Sequence, residues 1–193
     1  MRNIGTMIFL FFLFPLTGCL SFGEYSEKFD YKNGLLECGF HNIRSVDRYR
    51  DTEADWQELK RFAQGEKSIM ESEFPPNVMQ KLSQQLFQEG KNLSGKENYR
   101  VVCPACFSSK VAALESVYKK WKELRLEMIN NEIFVMIPKE NKIISTNGKK
   151  LETQRNNIIV WSEDTEVFEY RIKCNIDING ESLLPFYLKE NKK

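Results

Sequence analysis

The chain has 193 residues, of which 41% are hydrophobic and 12% aromatic, a length that fits one domain and a composition that can build a core. Its 28 Lys and Arg stand against 27 Asp and Glu, a formal net charge of +1. A balance this close offers no basic stripe for nucleic acid and indicates no polyanionic partner.

Residues 1–18 carry one positive side chain, Arg2, ahead of an apolar run from Met7 to Leu16. That run is short of the roughly 20 apolar residues a membrane span takes, and small Thr17 and Gly18 follow it, as at the end of a secretory signal. Leu16-Thr17-Gly18-Cys19 resembles the lipobox of bacterial lipoproteins. The resemblance implies that residues 1–18 are a signal peptide and that the Cys19 thiol carries a diacylglyceryl group. It further implies a cell-envelope location, with the membrane as partner through two or three acyl chains. A buried methylene contributes about 0.8 kcal/mol, so one chain holds marginally and two or more hold firmly. Leu20, where lipoproteins kept at the inner membrane often carry Asp, points to the outer membrane. Loss of Arg2 with the leader leaves a formally neutral chain.

Residues 19–27 read as a lipidated tether, and residues 28–193 as a single domain. In FDYKNGLLECGF, Asn33-Gly34 is a hairpin signal, because both residues tolerate positive φ. Thr52 with Asp55 resembles a capping box opening a helix over about 53–64, with Trp56, Leu59 and Ala63 on one face. Val78, Met79, Leu82 and Leu86 predict a second helix ended by Gly90, and NLSGKEN reads as loop. A third helix is expected from Ser108 to about Glu127, with Leu114, Val117, Tyr118, Trp121, Leu124 and Met128 recurring at helical steps. Beyond Asn131 the period becomes two: EIFVMIP, KIIST, NIIVW, EVFEYRIKCNIDI and SLLPFYL read as strands separated by turns such as Asn147-Gly148 and Asn179-Gly180. The expected fold is α+β, with N-terminal helices, after a short hairpin, packed on a C-terminal antiparallel β-meander.

Apart from Cys19 there are four cysteines, Cys38, Cys103, Cys106 and Cys174, and an even number in an exported chain favours disulfides. Sequence does not choose among the three pairings, and free buried thiols are the other structural outcome. Cys103-Pro104-Ala105-Cys106, between a strand-like YRVV and a helical pattern, is similar to the motif of thioredoxin-like oxidoreductases. There Cys103 would attack and Cys106 resolve. The segment between that helix and Pro138 has room for one strand only, which does not fit that fold. Cys38 and His41 in C-x-x-H, joined to Cys103 and Cys106, would suit tetrahedral zinc in residue type but not in spacing.

His41 is the only histidine, so a histidine-based hydrolase must use it. It lies in a short segment between expected strands, no G-x-S-x-G elbow occurs, and no such chemistry is expected. No P-loop or dinucleotide fingerprint is present. The sequence therefore points to a non-enzymatic, membrane-anchored lipoprotein that serves in binding, envelope structure or surface contact. It would have an unidentified protein or small-molecule partner, no nucleic acid and no cofactor. The competing expectation is an anchored thiol-disulfide oxidoreductase using Cys103 and Cys106.

Overall fold

The computed structural model describes residues 20–46, 51–66, 79–101, 126–129, 132–162, 164–175 and 180–191. Asn33-Gly34 makes the expected turn, with Gly34 at φ 63°, between β1 (Leu20–Asp30) and β2 (Leu35–Ser45). The residues read as a tether, from Leu20 to Glu27, are the first part of β1. Helix α1 (Thr52–Ala63) follows, capped by the Asp51 carboxylate, which accepts from Ala54 N at 3.0 Å. Thr52, expected as the cap, lies inside the helix and donates from Oγ1 to Glu181 at 2.9 Å.

The expected second helix is a hairpin of β3 (Met79–Glu89) and β4 (Asn92–Val101) turning at Gly90, φ 60°. NLSGKEN is accordingly strand, not loop. The helix-like spacing of Met79, Leu82 and Leu86 has a local cause. The β3–β4 register shifts between Lys81 and Ser83, which makes Leu82 an extra residue in the ladder, 47% exposed, and breaks the alternation that would have marked a strand. The helix expected over 108–127 lies outside the described residues except at its end, where Leu126 and Glu127 belong to β5 (Leu126–Ile129).

Then come β6 (Glu132–Pro138), β7 (Lys142–Thr146), β8 (Lys149–Glu152), β9 (Asn156–Ser162) and β10 (Val167–Lys173). The two-residue β11 (Glu181–Ser182) and helix α2 (Leu184–Glu190) follow. SLLPFYL, expected as a strand, is thus largely helix. Pro185 stands in its first turn, where a missing N–H costs nothing because that donor has no partner within the helix.

These strands do not form a meander under helices. They build two antiparallel sheets, one in the order β3-β4-β2-β1-β10-β7 with β11 on β2, the other β5-β6-β9-β8. The described residues are mostly β, and the expected α+β arrangement is overturned. Neighbours in sequence part company at Asn147-Gly148, where β7 stays in the first sheet and β8 enters the second. A Cβ at Gly148 would come within 2.5 Å of Ile159 Cγ2 and 2.7 Å of Trp161 Nε1, so only glycine lets the chain cross there.

Strand alternation puts Tyr25 and Phe29, Leu36, Cys38 and Phe40, and Phe168, Tyr170 and Ile172 on one face of the first sheet, packed against Val135, Ile137, Ile159 and Trp161 of the second. A second cluster joins Trp56, Leu59 and Phe62 of α1 to Ile43, Leu93 and Leu183, with Leu184, Phe186 and Tyr187 of α2 against it. Phe22 packs on both clusters and makes them continuous. Burying each large apolar side chain of α1 contributes about 1.5–3 kcal/mol. Among the described residues no helix is long and apolar enough to cross a membrane.

Candidate functional site

The face of the first sheet turned away from the second sheet carries polar side chains. In register, Ser26 of β1 lies between Gly39 of β2 and Arg171 of β10, and Glu24 lies opposite His41. Gly39 leaves open the space that a side chain would fill. A Cβ there would collide with Ser26 Oγ and stand 2.8 Å from His41 Nε2. Across that gap His41 Nε2 meets Ser26 Oγ at 2.8 Å, while His41 Nδ1 meets Glu89 Oε2 at 2.7 Å.

Glu89 stands at the end of β3. Its Oε2 also accepts from Ser94 Oγ at 2.9 Å, and its Oε1 accepts from Arg171 Nη1 at 3.0 Å. Arg171 donates through Nε to Glu24 Oε2 at 2.6 Å. From β3 to β10 there are four strand spacings, about 19 Å in a flat sheet. The meeting of Glu89 with Arg171 therefore requires the sheet to curl toward this face.

Electrostatics fix the direction of the bond between His41 and Glu89. Burial raises the Glu89 pKa, but hydrogen bonds from Arg171, His41 and Ser94 outweigh it and hold the carboxyl at about 2. An ionised carboxylate only accepts, so His41 Nδ1 carries the hydrogen and donates to Glu89. Whenever the ring carries only that hydrogen, Nε2 is the acceptor and the Ser26 hydroxyl donates to it. The His41 side chain is 10% exposed and that of Glu89 38%. Serine, histidine and carboxylate thus form one ordered relay.

The opposite face holds a second polar group inside the sandwich. Glu27 Oε2 accepts from Tyr170 at 2.7 Å and from Tyr25 at 3.3 Å. Burial raises the Glu27 pKa more than these two bonds lower it. Nearby, Tyr99 donates to fully buried Glu97 at 2.7 Å.

Of the sequence-predicted site residues the structure describes Cys38 and Cys174. Cys38 and Cys174, candidates for a disulfide, are buried free thiols. Burial, followed by the charges of Glu27, Glu97 and Glu37, pushes the Cys38 thiol well up, against a hydrogen bond from Tyr25 that lowers it. Burial, with the charge of Glu24, pushes Cys174 up to about 12. Cys19, Cys103 and Cys106 lie outside the described residues. Cys38 and His41 cannot share a zinc ion: three residues apart on one strand, they point to opposite faces, the thiol into the sandwich and the imidazole toward Ser26 and Glu89. Among the described residues no three His, Cys, Asp or Glu side chains cluster as metal ligands.

Sequence reading missed Ser26, Glu89 and Arg171. They are brought to His41 only by pairing among β1, β2, β3, β4 and β10, and no local spacing announces it. Alternation within FGEYSEKF of β1 was the available signal, since it separates Glu24 and Ser26 from Tyr25 and Glu27. In comparisons with known proteins, no family model matches the chain and no curated protein matches it.

Proposed function

We propose that this is a lipid-anchored protein of the bacterial envelope, tethered through Cys19 and presenting its two-sheet domain for binding, envelope structure or surface contact. The observation that carries the reading is Leu16-Thr17-Gly18-Cys19 behind a short apolar run with Arg2 ahead of it. Two or more acyl chains on that sulfur suffice for stable attachment. The absence of any spacer between Cys19 and Leu20 of β1 is consistent with a domain held close to the bilayer. Leu20 packs on the cluster formed by α1 and α2, so an anchor at Cys19 turns that end of the domain toward the lipid. The outer membrane is the favoured location, since Leu20 follows the cysteine.

Metabolic labelling with palmitate tests this. Label is expected in the membrane fraction of the parent chain and in neither fraction of a Cys19→Ala chain. Recovery of unlabelled, freely diffusing parent chain overturns it. Protease treatment of intact cells then tells surface display from a periplasmic position.

A further inference from the structure

We propose that Ser26 is a general-base-activated nucleophile that accepts the acyl group of a carboxylic ester, with His41 as the base and Glu89 as the group that orients it. This goes beyond the anchored-module reading and does not depend on the lipid. Four observations carry it. Ser26 Oγ lies 2.8 Å from His41 Nε2, within reach for direct proton transfer. His41 Nδ1 is held at 2.7 Å by a carboxylate that Arg171 and Ser94 hold in turn. The opposing strand carries glycine where any side chain would fill the space between the two groups. Finally, Ser26 is half-buried rather than closed off in the core.

Nucleophile, base and orienting acid in this order make the relay of serine acyl-transfer sites, which is recognised by geometry rather than by sequence order. The present relay reaches it from the middle of a sheet and not from a strand-to-helix elbow. In the reaction, Ser26 Oγ bonds to the ester carbonyl carbon while its proton passes to His41 Nε2. Arg171, the cross-strand neighbour of Ser26, holds Glu89 in place through the step. Collapse breaks the bond to the alcohol oxygen, which takes the proton from Nε2 and leaves an acyl-Ser26 ester. Water, deprotonated by the same nitrogen, then releases the carboxylic acid and restores the hydroxyl.

The test treats the purified chain with a fluorophosphonate, which phosphonylates activated serines, and maps the adduct by peptide mass. The expected result is an adduct on Ser26 in the folded chain, none after denaturation, and none in Ser26→Ala. Labelling of folded His41→Gln should fall by about 10²-fold or more. Turnover of p-nitrophenyl acetate should be lost with the same substitutions. No adduct on Ser26, equal labelling of the denatured chain, or unchanged labelling of His41→Gln overturns the proposal. The native-versus-denatured comparison uses the parent chain alone, so a variant that fails to fold still leaves a decision.

Discussion

Asn147 Oδ1 accepts the indole N–H of Trp161 at 2.7 Å, and through this bond the turn at which the chain changes sheets is fastened to the second sheet. The same oxygen accepts Glu169 N at 3.0 Å, and Asn147 Nδ2 donates to Val167 O at 2.7 Å, which fastens it to β10 as well. Trp161 is buried, so its N–H has no ready substitute partner. Asn147→Ala should destabilise the fold by about 1–3 kcal/mol, the cost of leaving a buried donor unsatisfied. Urea unfolding followed by tryptophan fluorescence measures it, and an unchanged midpoint would show that the two sheets do not depend on this link.

Gly39→Ala places a methyl group where Ser26 Oγ and His41 Nε2 meet. The relay must open or the strands must part, at a cost of about 1–3 kcal/mol for an overpacked position. The imidazole resonances report the outcome. A loss of the Ser26 contact without loss of fold is expected, and a His41 environment identical to the parent's would refute the reading of this glycine.

Two glutamates should leave opposite marks on stability against pH. Glu89, held at about 2, lies below its ordinary value of 4.5, so the unfolded chain takes up the proton first. Its contribution is complete above about pH 4.5 and is lost as pH falls toward 2. The pKa of Glu27 is raised, so here the folded chain takes up the proton first. Stability from this group is present below pH 4.5 and is lost as pH rises through its folded value. Glu89→Gln should therefore flatten the acid fall, and Glu27→Gln should relieve the loss on the neutral side while keeping a partner for the two tyrosines. Because Glu89 is 38% exposed, solvent screening keeps its effect modest. Unfolding midpoints from pH 2 to 8 decide it, and slopes of the reverse sign would contradict both assignments.

Cys38 is fully buried and Cys174 nearly so, and burial raises both thiols away from the thiolate. Iodoacetamide at neutral pH should leave both unmodified in the folded chain and modify both in urea. Rapid modification of either in the folded state would place it outside the core.

The β1–β2 turn, α1, and the strands at 132–138, 142–146, 156–162 and 167–173 were legible because local chemistry and tertiary environment agree there. Phe168, Tyr170 and Ile172 alternate and are all buried. Where the two disagree, the reading failed. Leu82, an inserted ladder residue, turned a polar edge strand into an apparent helical stripe. Leu183 to Leu188 is an apolar run without alternation, which cannot tell a buried strand from a short helix. Glu89 and Ser26 were invisible as a pair, since two strands, β4 and β2, stand between them in the sheet.

The pairing of β1 with β10 sets Tyr25 beside Ile172, from opposite ends of the described chain. During synthesis β1 waits for one of its two neighbours until nearly everything else has been made. Contacts so remote in sequence close slowly, because the entropy of the long loop is lost before the ladder rewards it. Until β10 has been made, β1 keeps one edge without its strand partner, and that interval is the one in which pairing with another chain is most favoured.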